Sequence, residues 1–276
     1  MTDSFDLIAP IAEAAKQNIS QEPGDYVEDG RLFCGKCHTA KQTWSFGRLV
    51  MCVCSCAAKA AAEAESQQRE REKFECIARL RTGGLQDEKN RGARFEMAEL
   101  SPQIETCRRY AERFGEFCKE NMGLLLWGAP GTGKTFAASC IANSLIDSLI
   151  PVMQTSFSKI IAELQADSKS TRQILDGLGQ YDVLILDDLG TERQSPYALQ
   201  LMYDVVDARY NDRKPLIVTT NLSLSDLKNP PDMAHQRIFG RIREMCIPIG
   251  FDGENRRAVA AEAKLKAARS ILDAAK

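Results

Sequence analysis

The most informative stretch of this sequence is Gly128-Ala129-Pro130-Gly131-Thr132-Gly133-Lys134-Thr135, which fits the pattern G-x-x-x-x-G-K-[ST] in full. The apolar run 123–127 precedes it, and a helical segment follows. Glycines let the backbone turn tightly, so that successive N–H groups converge on a phosphate at the positive end of the following helix. We therefore expect Lys134 to contact the β- and γ-phosphates of a nucleotide and the Thr135 hydroxyl to bind Mg²⁺.

A pair of carboxylates follows another apolar run. Residues 183–186 have the composition of a buried strand, and Asp187 and Asp188 come directly after them. A strand lying beside the phosphate-loop strand would bring both side chains to the γ-phosphate and its metal. We expect Asp187 to contact Mg²⁺ through water and Asp188 to polarise the attacking water. An aspartate at a strand end is also common in turns, and the pairing with the phosphate loop favours the catalytic interpretation.

Further polar and basic residues extend the predicted site. Asn221 follows the apolar run 216–218 and is predicted to position the attacking water, although an asparagine there also suits a helix cap. Arg237 and Arg241 are four residues apart on a predicted helix and share one face. A guanidinium supplied to the γ-phosphate of a neighbouring subunit would stabilise its developing charge. A solvated basic face is the alternative.

Strand-like and helical segments alternate from about residue 101. Strands are predicted at 123–127, 152–155, 183–186 and 216–219, and helices at 102–119, 134–146, 157–165, 197–210 and 237–245. This alternation favours an α/β fold in which crossover helices flank a parallel sheet. The Ala-, Glu- and Arg-rich segment 57–81 contains no Pro or Gly and is predicted to form one long exposed helix.

Two other nucleotide-binding classes are disfavoured. Asp187-Asp188-Leu189-Gly190 matches the D-x-x-G of GTPases, but the chain has no Asn-Lys-x-Asp segment with which to recognise guanine. It also lacks a Leu-Ser-Gly-Gly-Gln stretch of the transporter ATPase type. The sequence therefore favours an adenine nucleotide.

Composition excludes several classes of protein. The 276 residues include 36 Lys and Arg, 38 Asp and Glu and 44% hydrophobic residues, which is enough to form a core. No apolar run approaches the roughly 18 residues that span a bilayer, and the first residues lack a secretory layout. We expect a cytoplasmic protein without membrane contact. Acidic residues dominate 1–30, which suggests a protein partner, and basic residues dominate 237–276, which suggests phosphate or nucleic acid.

Five of the ten cysteines, Cys34, Cys37, Cys52, Cys54 and Cys56, lie close together in the sequence. A C-x-x-C pair followed after 14 to 16 residues by a second close pair matches structural zinc spacing, and zinc takes four thiolates. Cys34 and Cys37 form one pair. Cys52 with Cys56 has the more usual gap for the other, and Cys54 remains an alternative. Residues 34–38 also match C-x-x-C-H, a haem-attachment pattern, but the three further thiols disfavour that interpretation. A third interpretation is that the cysteines are free and buried.

The order of these motifs resembles that of a known family. GAPGTGKT, VLILDDLG followed by Thr191 and Glu192, VTTN and RIFGRIREMC are similar to the AAA+ ATPases of DnaC-type replicative helicase loaders and to their relatives, the IstB-type transposition helpers. The resemblance covers about residues 95–258. It implies a P-loop ATPase with a parallel sheet, preceded by a partner-binding zinc module (1–56) and a helical linker (57–94). The ATPase domain (95–276) would have a reduced or absent lid.

The resemblance also implies roles for single residues. Lys134 and Thr135 match Walker A, Asp187 the Walker B magnesium ligand, and Asp188 the catalytic acid, where aspartate implies slow, switch-like hydrolysis. Asn221 matches sensor 1, and Arg256 resembles a sensor 2 arginine. Arg241 matches the arginine finger that acts across a subunit interface, with Arg237 in reserve. The helix 156–165 lies where these proteins contact single-stranded DNA, and Phe157 and Lys159 suit stacking and phosphate contact.

Three functions follow as expectations. The first is an ATP-dependent loader of the replicative DNA helicase that binds single-stranded DNA, assembles through its ATPase interface and uses ATP, Mg²⁺ and Zn²⁺. The second is an IstB-like transposition helper that binds DNA and directs a transposase. The third is a non-motor adaptor in which the nucleotide is only structural.

Overall fold

The computed structural model describes residues 21–166, 170–190 and 195–273. The acidic stretch 1–30 lies partly outside these ranges, and the motif residues Thr191 and Glu192 lie outside them. The chain divides into two compact units, Met1–Phe74 and Glu75–Lys276. This division lies within a long helix, and the predicted module boundaries at residues 56 and 94 stay predictions. No helix in the described ranges is long and apolar enough to cross a membrane.

Two antiparallel hairpins form the described part of the first unit before that helix. Strand β1 (Tyr26–Glu28) pairs with β2 (Arg31–Phe33), and β3 (Gln42–Ser45) pairs with β4 (Arg48–Met51). Both hairpins turn on two residues with positive φ, Asp29-Gly30 and Phe46-Gly47, as type I′ turns require. The long helix α1 (Ser55–Gly84) follows, and the predicted helix 57–81 is confirmed within it.

The second unit is built on a five-stranded parallel sheet flanked by helices. Its strands, in chain order, are β5 (Gly123–Trp127), β6 (Val152–Thr155), β7 (Val183–Leu189), β8 (Leu216–Thr220) and β9 (Cys246–Gly250). The spatial order is β6-β7-β8-β5-β9. Its helices are α2 (Glu88–Arg91), α3 (Pro102–Glu112), α4 (Phe114–Lys119), α5 (Lys134–Asp147), α6 (Phe157–Ala166), α7 (Thr171–Gly179), α8 (Pro196–Asn211), α9 (Leu224–Lys228), α10 (Met233–Met245) and α11 (Arg256–Asp273), with a 3₁₀ turn at Phe95–Met97.

Alternate residues of the central strands pack against opposite helical layers. Leu124 and Leu126 of β5 belong to one buried cluster with Ile141 of α5, whereas Leu125 belongs to the other with Val205 of α8. Both faces of the sheet are therefore covered, as the near-continuous apolar strands predict. The predicted α/β class with a central parallel sheet is confirmed.

Two local predictions were wrong, and one strand was not predicted. The acidic strand β7 does not lie beside the phosphate-loop strand β5, because β8 pairs with both and separates them. The predicted helix 102–119 is interrupted at Arg113, whose φ of −104° and ψ of 19° leave the helical region. Strand β9 was missed; it lies at the sheet edge, where Pro248 is tolerated in a strand.

Candidate functional site

The phosphate loop connects β5 to α5 and is compact around a buried ammonium group. Lys134 is 4% exposed, and its Nζ donates to the carbonyl oxygens of Gly128 at 2.8 Å and Ala129 at 2.7 Å. Burial lowers the pKa of Lys134. Gly131 has a φ of 83°, and a Cβ there would lie 2.0 Å from the Asn255 side-chain oxygen. The positive φ therefore favours glycine at this position, and a side chain there would also displace Asn255.

The acid pair at the end of β7 is linked to the phosphate loop by a hydroxyl group. Thr135 Oγ1 donates to Asp187 Oδ1 at 2.9 Å, and Thr219 Oγ1 donates to the same oxygen at 2.6 Å. Burial raises the pKa of Asp187, and the two hydrogen bonds oppose that shift. Hydroxyl and carboxylate oxygens side by side are the ligands that Mg²⁺ prefers, so Thr135 and Asp187 fit the predicted metal.

A cavity of about 430 Å³ brings the predicted nucleotide residues together. Its lining includes Pro130, Gly131, Gly133, Lys134, Thr135, Asp188, Asn221 and Arg256, all predicted from the sequence, and also Met97, Phe136 and Arg257, which were not. The backbone N–H of Arg256 donates to Gly131 O at 3.0 Å, so the start of α11 lies against the phosphate loop. The volume is within the usual range for small-molecule and cofactor sites.

The two arginines predicted to act across an interface lie on α10, away from this cavity. The Arg241 guanidinium pairs with Asp207 at 2.5 Å and lies over the ring of Tyr203, with the centroid at 4.5 Å. Arg237 is exposed and borders a separate surface cavity between α8 and α10. Neither arginine lines the nucleotide cavity of its own chain, and their predicted contact across a subunit interface stays a prediction.

Four of the five clustered cysteines converge. The sulfur atoms of Cys34, Cys37, Cys54 and Cys56 all lie within 4.8 Å of one another, and Cys56 Sγ is 3.5 Å from Cys34 Sγ and 3.4 Å from Cys54 Sγ. A tetrahedral zinc with bonds of about 2.3 Å separates its sulfurs by nearly 4 Å, so the donor set fits. Cys52 Sγ instead contacts Ala40 O at 3.4 Å. The structure thus places Cys54, not Cys52, beside Cys56.

The pKa values of two of these thiols are shifted, and the cluster as a whole is suited to bind a cation. Hydrogen bonds from the hydroxyl groups of Ser55 and Thr39 lower the pKa of Cys37 to about 4. A hydrogen bond with the Cys37 sulfur, which favours the protonated thiol, raises the pKa of Cys56 to about 12. Zinc binds deprotonated cysteines, and its positive charge would stabilise four thiolates that lie this close together.

Comparison with known proteins identifies the family. The model of the IstB-like ATP binding protein family matches residues 59–257, which is most of the chain and includes the whole nucleotide cavity. The chain belongs to this family. The predicted resemblance is thereby confirmed.

Similar proteins of this IstB-like chain include replication proteins. The Phage-like element PBSX protein XkdC of Bacillus subtilis (strain 168) is 31% identical over 135 residues, 47% of this chain and 49% of that protein. The Replicative helicase loader DnaC of Escherichia coli (strain K12) is 26% identical over 144 residues, 51% of this chain and 56% of that protein. The crystal structure of DnaI is 26% identical with a TM-score of 0.53, covering 62% of this chain and 93% of that one. The IstB-like chain spans about half the length of the curated relatives it matches.

One predicted DNA contact of the IstB-like chain is wrong. Phe157 is 1% exposed and packs in the core beneath the sheet, so its ring offers no face to a base. The apolar residues that follow it in α6 already indicated that Phe157 would be buried in the core. Lys159 is partly exposed and pairs with Asp87 at 2.9 Å. Its contact with single-stranded DNA stays a prediction.

The site residues that were not predicted differ in how readily the sequence could have indicated them. Arg257 adjoins Arg256 in the sequence and could have been included with it. Met97 lies in a 3₁₀ turn, where no periodicity marks a ligand contact. Thr219 does not line the cavity and was overlooked because it lies near the end of an apolar strand, although its hydroxyl contacts both acidic residues of the site.

Proposed function

We propose that this IstB-like protein is a Mg²⁺-dependent ATPase that loads a replicative DNA helicase onto single-stranded DNA. The observation that carries the proposal is the hydrogen bond from Thr135 to Asp187, which joins the phosphate loop to the acid pair at one cavity. The similarity to the loaders DnaC and DnaI supports the choice of partner. The switch would be ATP hydrolysis, made slow by aspartate at position 188.

Different residues at the cavity would have different roles in ATP hydrolysis. Lys134 and the loop N–H groups would bind the β- and γ-phosphates, and Thr135 and Asp187 would hold Mg²⁺, which neutralises charge on the phosphates when bound. Asp188 and Asn221 border the same cavity and would orient the attacking water. Arg256 and Arg257 add positive charge on the side where α11 begins.

Copurification tests the choice of partner. We expect the full chain, tagged and expressed in its native host, to copurify with a hexameric replicative helicase, and the purified pair to load helicase onto single-stranded circular DNA only with ATP. Recovery of a transposase instead, with no helicase loading, would favour the transposition helper.

Self-association would complete the ATPase site through Arg241. An Arg241→Ala variant is expected to lower ATP turnover at least tenfold while nucleotide affinity stays within about threefold, since a trans guanidinium acts on the transition state. Arg243→Ala, exposed on the same helix, is the matched control. Steady-state turnover and nucleotide titration measure the two quantities.

Subunit mixing separates this role from a structural one, because Arg241 also contacts Asp207 and Tyr203 in its own chain. Inactive Asp188→Asn mixed with Arg241→Ala should regain part of the activity, since some interfaces then combine an intact acid with an intact arginine. Normal turnover by Arg241→Ala, with loss in Arg237→Ala, would transfer the role to Arg237.

The hairpin β3–β4 is the proposed helicase contact in the N-terminal module. Phe46 is fully exposed at the turn with a φ of 47°, a conformation that costs about 1 kcal/mol for a residue with a side chain, and Trp44 is 57% exposed beside it. The only charge from Gln42 to Ser55 is Arg48. Exposed aromatic and arginine side chains are the residue types that anchor protein interfaces.

Phe46→Asn tests this contact without harming the turn. Asparagine is favoured at this position of a type I′ turn, so the variant should be at least as stable as the wild type while its dissociation constant for helicase rises at least tenfold. Val27→Ala, which removes an exposed apolar side chain from the other hairpin, should bind normally. Unchanged helicase affinity in calorimetry for Phe46→Asn would place the contact elsewhere.

A further inference from the structure

The two acidic residues of the site lie in an irregularity between β7 and β8. Leu186 pairs with Val218, but the next pair is Leu189 with Thr220, so Asp187 and Asp188 fall in a bulge of the ladder. Asp188 has a φ of 56°, a left-handed conformation that is unusual for a residue other than glycine. Such a bulge re-aims side chains at the end of a strand, and something must hold it in shape.

A single buried hydroxyl group contacts both acidic residues. Thr219 has no exposed surface, and its Oγ1 accepts the backbone N–H of Asp188 at 2.9 Å while donating its proton to Asp187 Oδ1 at 2.6 Å. The first bond stabilises the left-handed backbone of Asp188. The second fixes the carboxylate of Asp187, whose same oxygen also accepts from Thr135.

We propose that Thr219 is a positioning residue for ATP hydrolysis, holding the acidic bulge in the geometry that presents Asp187 to the metal and Asp188 to the attacking water. The inference rests on the proposed ATPase function. Because a hydroxyl has one proton, donation to Asp187 leaves a lone pair for the Asp188 N–H, and the two bonds are formed together. A side chain of equal shape without the hydroxyl would remove both.

Thr220 provides an internal comparison at the same bulge. It is also fully buried, and its Oγ1 donates to Leu189 O at 2.7 Å and accepts from Leu222 N at 3.1 Å. Both threonines thus add side-chain hydrogen bonds at the irregular end of the β7–β8 ladder. Thr220 forms no hydrogen bond with either carboxylate, so its loss reports the structural cost of the bulge alone.

The test compares Thr219→Val, Thr219→Ser and Thr220→Val in the full chain. For Thr219→Val we expect kcat for ATP to fall at least tenfold and the half-saturating Mg²⁺ concentration to rise several-fold, with the dissociation constant for ADP without Mg²⁺ within about threefold of the wild type. Thr219→Ser keeps the hydroxyl and should recover kcat to within about threefold. Thr220→Val should lower the melting temperature similarly but leave kcat within about threefold.

Two outcomes would overturn the inference: equal losses of kcat in Thr219→Val and Thr220→Val, or no recovery in Thr219→Ser. If Thr219→Val does not fold, Thr219→Cys, whose thiol is a weaker donor and acceptor, should shift kcat and Mg²⁺ dependence in the same direction; a wild-type profile would overturn it. A wild-type protein without ATPase activity would instead refute the proposed function, and the Mg²⁺ dependence of nucleotide binding would still test Thr219.

Discussion

A Lys134→Ala variant is expected to bind MgATP at least 100-fold more weakly and to lose measurable hydrolysis. The Lys134 ammonium is buried within the loop, donates to the carbonyl oxygens of Gly128 and Ala129, and lines the cavity in which the phosphates are expected. Charge-assisted hydrogen bonds contribute about 1.5–3 kcal/mol each, and two of them account for a loss of this size. Calorimetric titration with a non-hydrolysable ATP analogue measures it.

Lys228→Ala, an exposed lysine on α9, is the matched control and should bind nucleotide as the wild type does. The same variant pair separates a motor from an adaptor. If Lys134→Ala no longer binds nucleotide yet still loads helicase, the nucleotide does not drive loading and the adaptor interpretation is favoured over the motor. Wild-type affinity in Lys134→Ala would contradict the assignment of the phosphate site itself.

The phosphate loop and the acid pair could be predicted from the sequence because their chemistry is local. Gly131 and Gly133 are required by backbone geometry, and Asp187 and Asp188 follow an apolar run whose burial is evident from composition alone. Parallel strands present their carboxyl ends at one edge of the sheet, so the two motifs meet even though β8 separates their strands. The prediction of a shared site survives the error in strand order for this reason.

The remaining errors concern side-chain orientation and contacts between strands, which the spacing of residues along the sequence does not specify. A helix at residues 157–165 is evident from the sequence, but which of its faces is buried depends on the packing of α6 against the sheet, and Phe157 lies on the buried side. The role of Thr219 depends on a bulge that no local pattern marks, since a threonine at the end of a strand ordinarily satisfies β-propensity alone. Such features require knowledge of the neighbouring strand.

The choice among the cysteines leads to the second large effect. Wild-type protein is expected to carry one zinc ion, and Cys54→Ser to lose it, because Cys54 Sγ is one of the four sulfurs that converge among the residues the structure describes. Cys52→Ser is the matched control, two residues away, and should retain zinc because Cys52 contacts Ala40 O instead. Metal analysis after gel filtration measures the zinc content of both variants.

Loss of zinc should unfold the hairpins selectively. Structural zinc sites contribute apparent free energies of about 10–16 kcal/mol, more than the few buried residues in the described part of the hairpins supply from a core of their own. Limited proteolysis should therefore cleave the hairpins in Cys54→Ser but not in the wild type, while ATP affinity stays unchanged because none of the four cysteines lines the nucleotide cavity. If Cys52→Ser lost its zinc and Cys54→Ser kept it, the ligand assignment would be wrong. Cys52 would then be the zinc ligand, and Cys54 the thiol that does not bind the metal.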